Sequence, residues 1–174
     1  LADAYTELLF FSFSAGDVRP KAREAARKAL ELDDRLAEAH SSMALIKMYL
    51  DWDFTAAEAE FRRAIELNPG SAYVHMWYGW FLALMGRFDE SLVELRRGHE
   101  FGPLSPPNNN AIGVNFHWSR QPERAIAQIL DVLELNPDYP VSVSFLAEAY
   151  VQAGDMLSAV STVERSVPAA MDPQ

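Results

Sequence analysis

The chain has 174 residues, of which 49% are apolar and 23% charged, a balance that excludes a disordered polypeptide. Its formal charge of −10 repels phosphate backbones and anionic lipid, so nucleic acid and an acidic membrane surface are excluded as expected partners. It has no cysteine, which excludes disulfides and thiol chemistry and suits either the cytosol or the periplasm.

The chain opens at Leu1 rather than at a methionine and is expected to be a piece of a longer polypeptide. Leu8–Phe13 (LLFFSF) is too short to span a membrane and lacks the flanks of a signal peptide. From there one pattern returns along the chain. It reads KAREAARKALELDD at Lys21–Asp34, FTAAEAEFRRAIELNP at Phe54–Pro69, FDESLVELRRGHEFGP at Phe88–Pro103 and PERAIAQILDVLELNP at Pro122–Pro137. A weaker copy is MLSAVSTVERSVPAAM at Met156–Met171. Small residues at one place of the pattern (Ala29, Ala64, Gly98, Val132 and, poorly, Ser166) recur after 35, 34, 34 and 34 residues. A near-constant period in this range predicts a stacked helical array. In the clearest copy Ala57, Phe61, Ala64 and Ile65 form a helical stripe.

The punctuation divides each unit into two helices. Gly16, Gly86 and Gly154 fall between the helices of units one, three and five, where a positive φ ends a helix tightly. Trp52 and Arg120 stand there in units two and four, so those turns are expected to be built differently. Pro20 and Pro122 suit the first turn of a second helix, and Asn68-Pro69 and Asn136-Pro137 end second helices. Asp53 and Ser105 read as N-caps, the latter followed by a proline at N1. Five hairpins result, at about 2–36, 37–71, 72–105, 106–139 and 140–173, with one extra residue between the helices of each of the first two.

These residues resemble the tetratricopeptide repeat (TPR). Unit three shows Tyr78-Gly79, Gly86, Phe88, Ser91, Leu95 and Pro103 at the family's preferred places. Unit four shows Ile112-Gly113, Phe116, Ala125, Ile129 and Pro137, and unit five Leu146-Ala147, Tyr150, Gly154, Ala159 and Val163. Gly98 and Val132 replace the usual alanine, and the family's tryptophan near the start of the first helix is missing. The resemblance implies an all-α, right-handed superhelical solenoid of about five helix-turn-helix repeats forming a single domain over 1–174. Small residues such as Ala57, Ala64, Gly79, Gly113 and Ala147 would let helices approach, while Phe61, Leu95, Ile129 and Val163 fill the space between hairpins. The run from LAEAHSSM to PLSPPNN is also similar to TPR segments of bacterial regulators that carry a winged-helix or serine/threonine kinase domain.

By the same resemblance the first helices line a groove. The groove-facing places are Phe10 and Phe13, then Leu45 and Met48, then Tyr73, Met76, Trp77 and Trp80. They continue with Asn110, Val114, His117 and Trp118, and end with Phe145 and Glu148. Aromatic and methionine side chains on such a face predict an interaction site for an apolar or amphipathic segment. Trp77, Trp80, His117 and Trp118 are the candidate anchors. The fifth places hold Ser41, Met76, Asn110 and Ser144, which is no basic clamp for a carboxylate tail. The pairs Arg27-Lys28, Arg62-Arg63 and Arg96-Arg97 read as solvated faces, with Glu24–Lys28 and Glu58–Arg62 as expected i,i+4 partners.

No catalytic, cofactor or metal residue is expected. His40 and His75 occupy equivalent places, but further ligands are not evident, and Asp51-Trp52-Asp53 lacks the glycine and downstream glutamate of a calcium loop. Phosphate-loop and nucleophile-elbow motifs are absent. The expected function is therefore a non-catalytic, cytoplasmic protein–protein interaction module, with the periplasm left open. The alternative is a regulatory or self-associating arm of a bacterial transcriptional regulator or kinase, with a homo-oligomer as one form.

Overall fold

The structure, a computed structural model, describes residues 18–166. Nine α-helices occur among them: α1 (Val18–Leu32), α2 (Ala37–Ile46), α3 (Phe54–Leu67), α4 (Ala72–Leu84), α5 (Phe88–Phe101), α6 (Pro106–Trp118), α7 (Pro122–Leu135), α8 (Pro140–Ala153) and α9 (Met156–Ser166). No strand occurs among the described residues, so the class is all-α. The chain divides into two compact units, one ending at Tyr78 and one beginning at Gly79. The expected contacts of Phe10 and Phe13, and the turn at Gly16, lie outside the described residues.

In the first unit α1 packs on α2 and α2 on α3. Ala22 and Ala26 of α1 are fully buried against Ile46, with Met43 and Leu50 beside them. Alanines at i and i+4 leave no side-chain bulk on that stripe, so the helices meet backbone to side chain. Phe61 of α3 is fully buried and meets the Tyr78 ring with centroids 5.7 Å apart. In the second unit α5 packs on α6, α6 on α7, α7 on α8 and α8 on α9, and α6 also touches α8. Leu95 and Ile129 are fully buried, at the place Phe61 takes in its repeat. Val163, at the matching place of α9, is 47% exposed rather than buried between hairpins as expected.

The turns correct one expectation. Gly86 and Gly154 have φ of 74° and 84°, as a tight helix end requires. Trp52 and Arg120 have φ of 56° and 62°, so units two and four close through the same left-handed conformation without glycine. The extra residue of unit two is absorbed just before Trp52, in a π-helical turn over Lys47–Asp51. There the amide of Asp53 reaches back to the carbonyl of Lys47 at 3.0 Å. Asp53 then caps α3, its carboxylate accepting from the amide of Ala56 at 3.0 Å. Ser105 holds the N-cap place of α6, but its hydroxyl makes no cap bond.

That π-helical turn is tied to α1. Arg23 donates to both oxygens of Asp51, at 2.9 and 2.6 Å. The guanidinium bonds hold the Asp51 carboxyl below its usual 3.8. A depressed carboxyl contributes stability that is present above that ordinary value and is lost as pH falls through the lowered one. Both side chains are a third or more exposed, which keeps the pair near the surface-bridge range. Asp51→Asn is expected to cost about 0.5–1 kcal/mol at neutral pH. In urea unfolding series the gap to wild type should close in strong acid; a gap that stays constant with pH would contradict this assignment.

Four of the six residues of the basic pairs have local acidic partners. Arg62 donates to Glu58 at 2.7 Å, the expected i,i+4 partner, and to the Tyr78 hydroxyl at 3.3 Å. Glu24 pairs with Arg27 at 2.7 Å rather than with Lys28, because the guanidinium fork of Arg27 bridges Glu24 and Glu31 on either side. Arg63 and Arg97 pair with Glu66 and Glu94 at 3.1 and 3.0 Å.

Candidate functional site

The expected contact residues fall into three environments. In the first unit Leu45, Met48, Met76 and Trp77 are buried, and Tyr73 is half-buried with its ring 6.2 Å from that of Trp77. In the second unit Trp80, Asn110 and Val114 are buried. His117, Trp118 and Phe145 are half-buried, and Glu148 is exposed. The deep burial on α6 has a packing cause: that helix is wedged among α5, α7 and α8, so little of its surface reaches water.

Polar residues on α6 follow from the same wedging. The Asn115 amide donates to Ser91 Oγ at 2.8 Å and to the carbonyl of Phe88 at 3.1 Å. Asn110 Oδ1 accepts from Ser142 Oγ at 2.7 Å, tying α6 to α8 inside the core. Asn110 is therefore an inter-helix tie with its oxygen already engaged, and Ser142 is a partner that sequence reasoning missed. Serine at a buried helical position carries no periodic signal beyond being small.

What α4, α6 and α8 bring together in the second unit is an aromatic cluster. Trp80 and Trp118 meet edge to face with centroids 5.0 Å apart. Phe145 lies 6.3 Å from Trp80, 6.1 Å from Trp118 and 6.1 Å from the His117 ring. Such edge-to-face pairs are mutually favourable and lock the rings in place. His117 Nε2 is 3.2 Å from Glu148 Oε2, an ion pair when the imidazole is protonated. An open cleft of about 720 Å³ adjoins the cluster, walled by His117, Trp118, Glu148 and Gln152 together with Leu84, Phe88 and Arg120. A second cleft of about 420 Å³ lies where α7, α8 and α9 meet and is walled by helix-packing residues such as Leu130, Val143 and Leu146.

The remaining histidines serve as ties. His40 bonds Glu60 at 2.6 Å and the carbonyl of Asp34 at 3.0 Å, so both ring nitrogens are engaged. His75 Nε2 meets the carbonyl of Pro69 at 2.9 Å, and His99 meets Asn109 Oδ1 at 2.7 Å. No group of three metal-ligating side chains converges among the described residues. Among the same residues no helix is long and apolar enough to cross a membrane.

Known proteins carry the same pattern. The tetratricopeptide-repeat family model matches residues 53–106. Over 79% of its length the chain is 31% identical to the type IV pilus assembly protein PilF of Pseudomonas aeruginosa, and it covers 55% of that protein. Over 68% of its length it is 28% identical to the transcriptional regulator HilA of Salmonella typhimurium, covering 21% of it. The chain thus spans about half, or less, of the curated relatives it matches. A thermophilic TPR protein of Thermus thermophilus has a similar fold, with a TM-score of 0.79 at 18% identity over 99% of this chain and 93% of that one.

Proposed function

This chain is a tetratricopeptide-repeat protein, and from that premise we propose that it is a non-catalytic module whose second unit binds a segment of a partner protein. The observation that supports this reading most is the half-buried edge of the aromatic cluster, Trp118, His117 and Phe145, beside an open cleft. Aromatic side chains fixed by their neighbours offer large contact area at little entropic cost. Trp80 sits behind that edge and sets the tilt of Trp118. The buried members of the expected groove, such as Val114 and Asn110, then act as its rigid floor. Cytoplasmic residence remains part of this proposal.

The test is selection of a random-peptide display library on the folded chain. Enriched peptides should lose at least about ten-fold in affinity to a Trp118→Ala variant whose melting temperature stays near that of wild type. No enrichment, or equal binding to the variant, would sink the reading. The match to HilA favours a second reading, in which the same face serves a larger regulator. That reading expects the face to be covered by other parts of such a regulator's own chain.

A further inference from the structure

The face around the aromatic cluster has an uneven charge. Across α6, α8 and residues 79–84 of α4, the single Asp, Glu, Lys or Arg is Glu148. Its side chain is 59% exposed and lies 3.2 Å from His117, whose ring neighbours Phe145 in the cluster. The faces of aromatic rings carry negative quadrupole density, and a carboxylate beside them adds a full charge of the same sign. Such a pairing has one complement, a cation.

Two further atoms point the same way. Gln152 Oε1 and His117 Nδ1 are buried and have no hydrogen-bond partner, and both residues wall the cleft. A carboxylate facing Nε2 keeps the proton of the neutral imidazole there, which leaves Nδ1 as an acceptor. Glu148 is thus the exposed acceptor of the cleft wall, with the two unpaired acceptor atoms of Gln152 and His117 buried in the same wall. Arg120, on the turn after α6, is the cation among the cleft walls, so an incoming positive charge is favoured at the Glu148 end rather than beside Arg120. In the same unit Arg124 already stacks on the Phe116 ring, 3.9 Å from its centroid.

We propose that the cleft takes a lysine or arginine side chain of a basic partner segment, its stem against Trp118 and its charge against Glu148. The proposal rests on the partner-binding reading above and names the chemistry of that partner. The net charge of −10 favours a basic segment over the whole approach path and disfavours a second copy of this chain.

Three amphipathic peptides sharing one leucine framework, with lysine, glutamine or glutamate at the polar positions, test it by fluorescence anisotropy. The lysine peptide should bind about ten-fold tighter than the glutamine peptide, with the glutamate peptide weakest. Glu148→Gln, at an exposed position, should leave folding unchanged and cut that preference about five-fold. Equal binding of all three peptides overturns the inference and leaves the partner-binding reading standing. A lysine preference untouched by Glu148→Gln also overturns it, since overall charge would then be the cause. If none of the three binds while library-derived peptides do, this inference alone fails; if neither kind binds, both readings fail. Sedimentation runs alongside: a dimer abolished by Glu148→Gln would make the occupant a second copy and overturn the basic-segment assignment.

Discussion

Phe61→Ala is expected to lower stability by about 3–5 kcal/mol, read as the shift of a urea or thermal unfolding curve. The side chain is fully buried where α3 meets α4, with the Tyr78 ring tilted 31° against it. Its neighbours on α3, Ala57 and Ala64, are small and equally buried, so α3 itself offers no side chain to fill the gap. A hairpin of this kind cannot bury its apolar stripe alone; the stripe is satisfied by the next helix along. Removing the ring therefore opens a cavity at the seam that joins one repeat to the next, and the Tyr78 ring loses its contact with Phe61. Phe61→Leu keeps most of the volume and should cost less than half as much. Equal losses in the two variants would mean that the site collapses freely, contrary to the packing described.

Period and helix ends were legible in the sequence because each is a local chemical requirement. Proline at the start of α7, the caps of α3 and the glycines after α4 and α8 announce themselves residue by residue. The turns at Trp52 and Arg120 were not legible as left-handed, because side chains of that size resist the conformation locally and surrounding structure imposes it. The π-helical turn over Lys47–Asp51 shows the same thing: an inserted residue is visible in the count, but not where the helix will absorb it. At the candidate site, the family resemblance placed Trp80, Trp118, Phe145 and Glu148 at groove-facing positions; in the structure the three rings meet, and Glu148 lies against His117. Register does not reveal depth. Asn110 and Val114 share the expected face with Trp118, yet they are buried where it is half-buried, because α6 has three helical neighbours. Gln152 was missed altogether, although it follows Glu148 by one helical turn, the spacing that makes two side chains neighbours.

Gly113→Val is expected to cost about 3 kcal/mol, and the reason distinguishes two kinds of glycine in this chain. A Cβ built at Gly113 would stand 2.5 Å from Ile129 Cγ1 and 3.3 Å from its Cδ1. Gly79 is in the same position against Leu95, whose Cγ would lie 2.6 Å away. Both glycines sit in helices, where alanine would ordinarily be favoured by about 1 kcal/mol. Alanine is disfavoured here because the facing helix carries a large residue fully buried at that spot, so contact distance between the helices leaves no room for a methyl group. Gly86 is the opposite case. Nothing lies within 4 Å of its would-be Cβ, but its φ of 74° is costly for any other residue. Gly86→Ala should therefore lose about 1–2 kcal/mol whatever its neighbours are. The loss at Gly113 should depend on Ile129. In a double-mutant cycle, Gly113→Ala combined with Ile129→Ala should lose less than the sum of the two single changes, by about 1–2 kcal/mol. The added methyl then occupies space that the isoleucine vacated. Strict additivity would mean that the two helices shift apart at little cost, and close approach through Gly113 would no longer account for how α6 packs on α7.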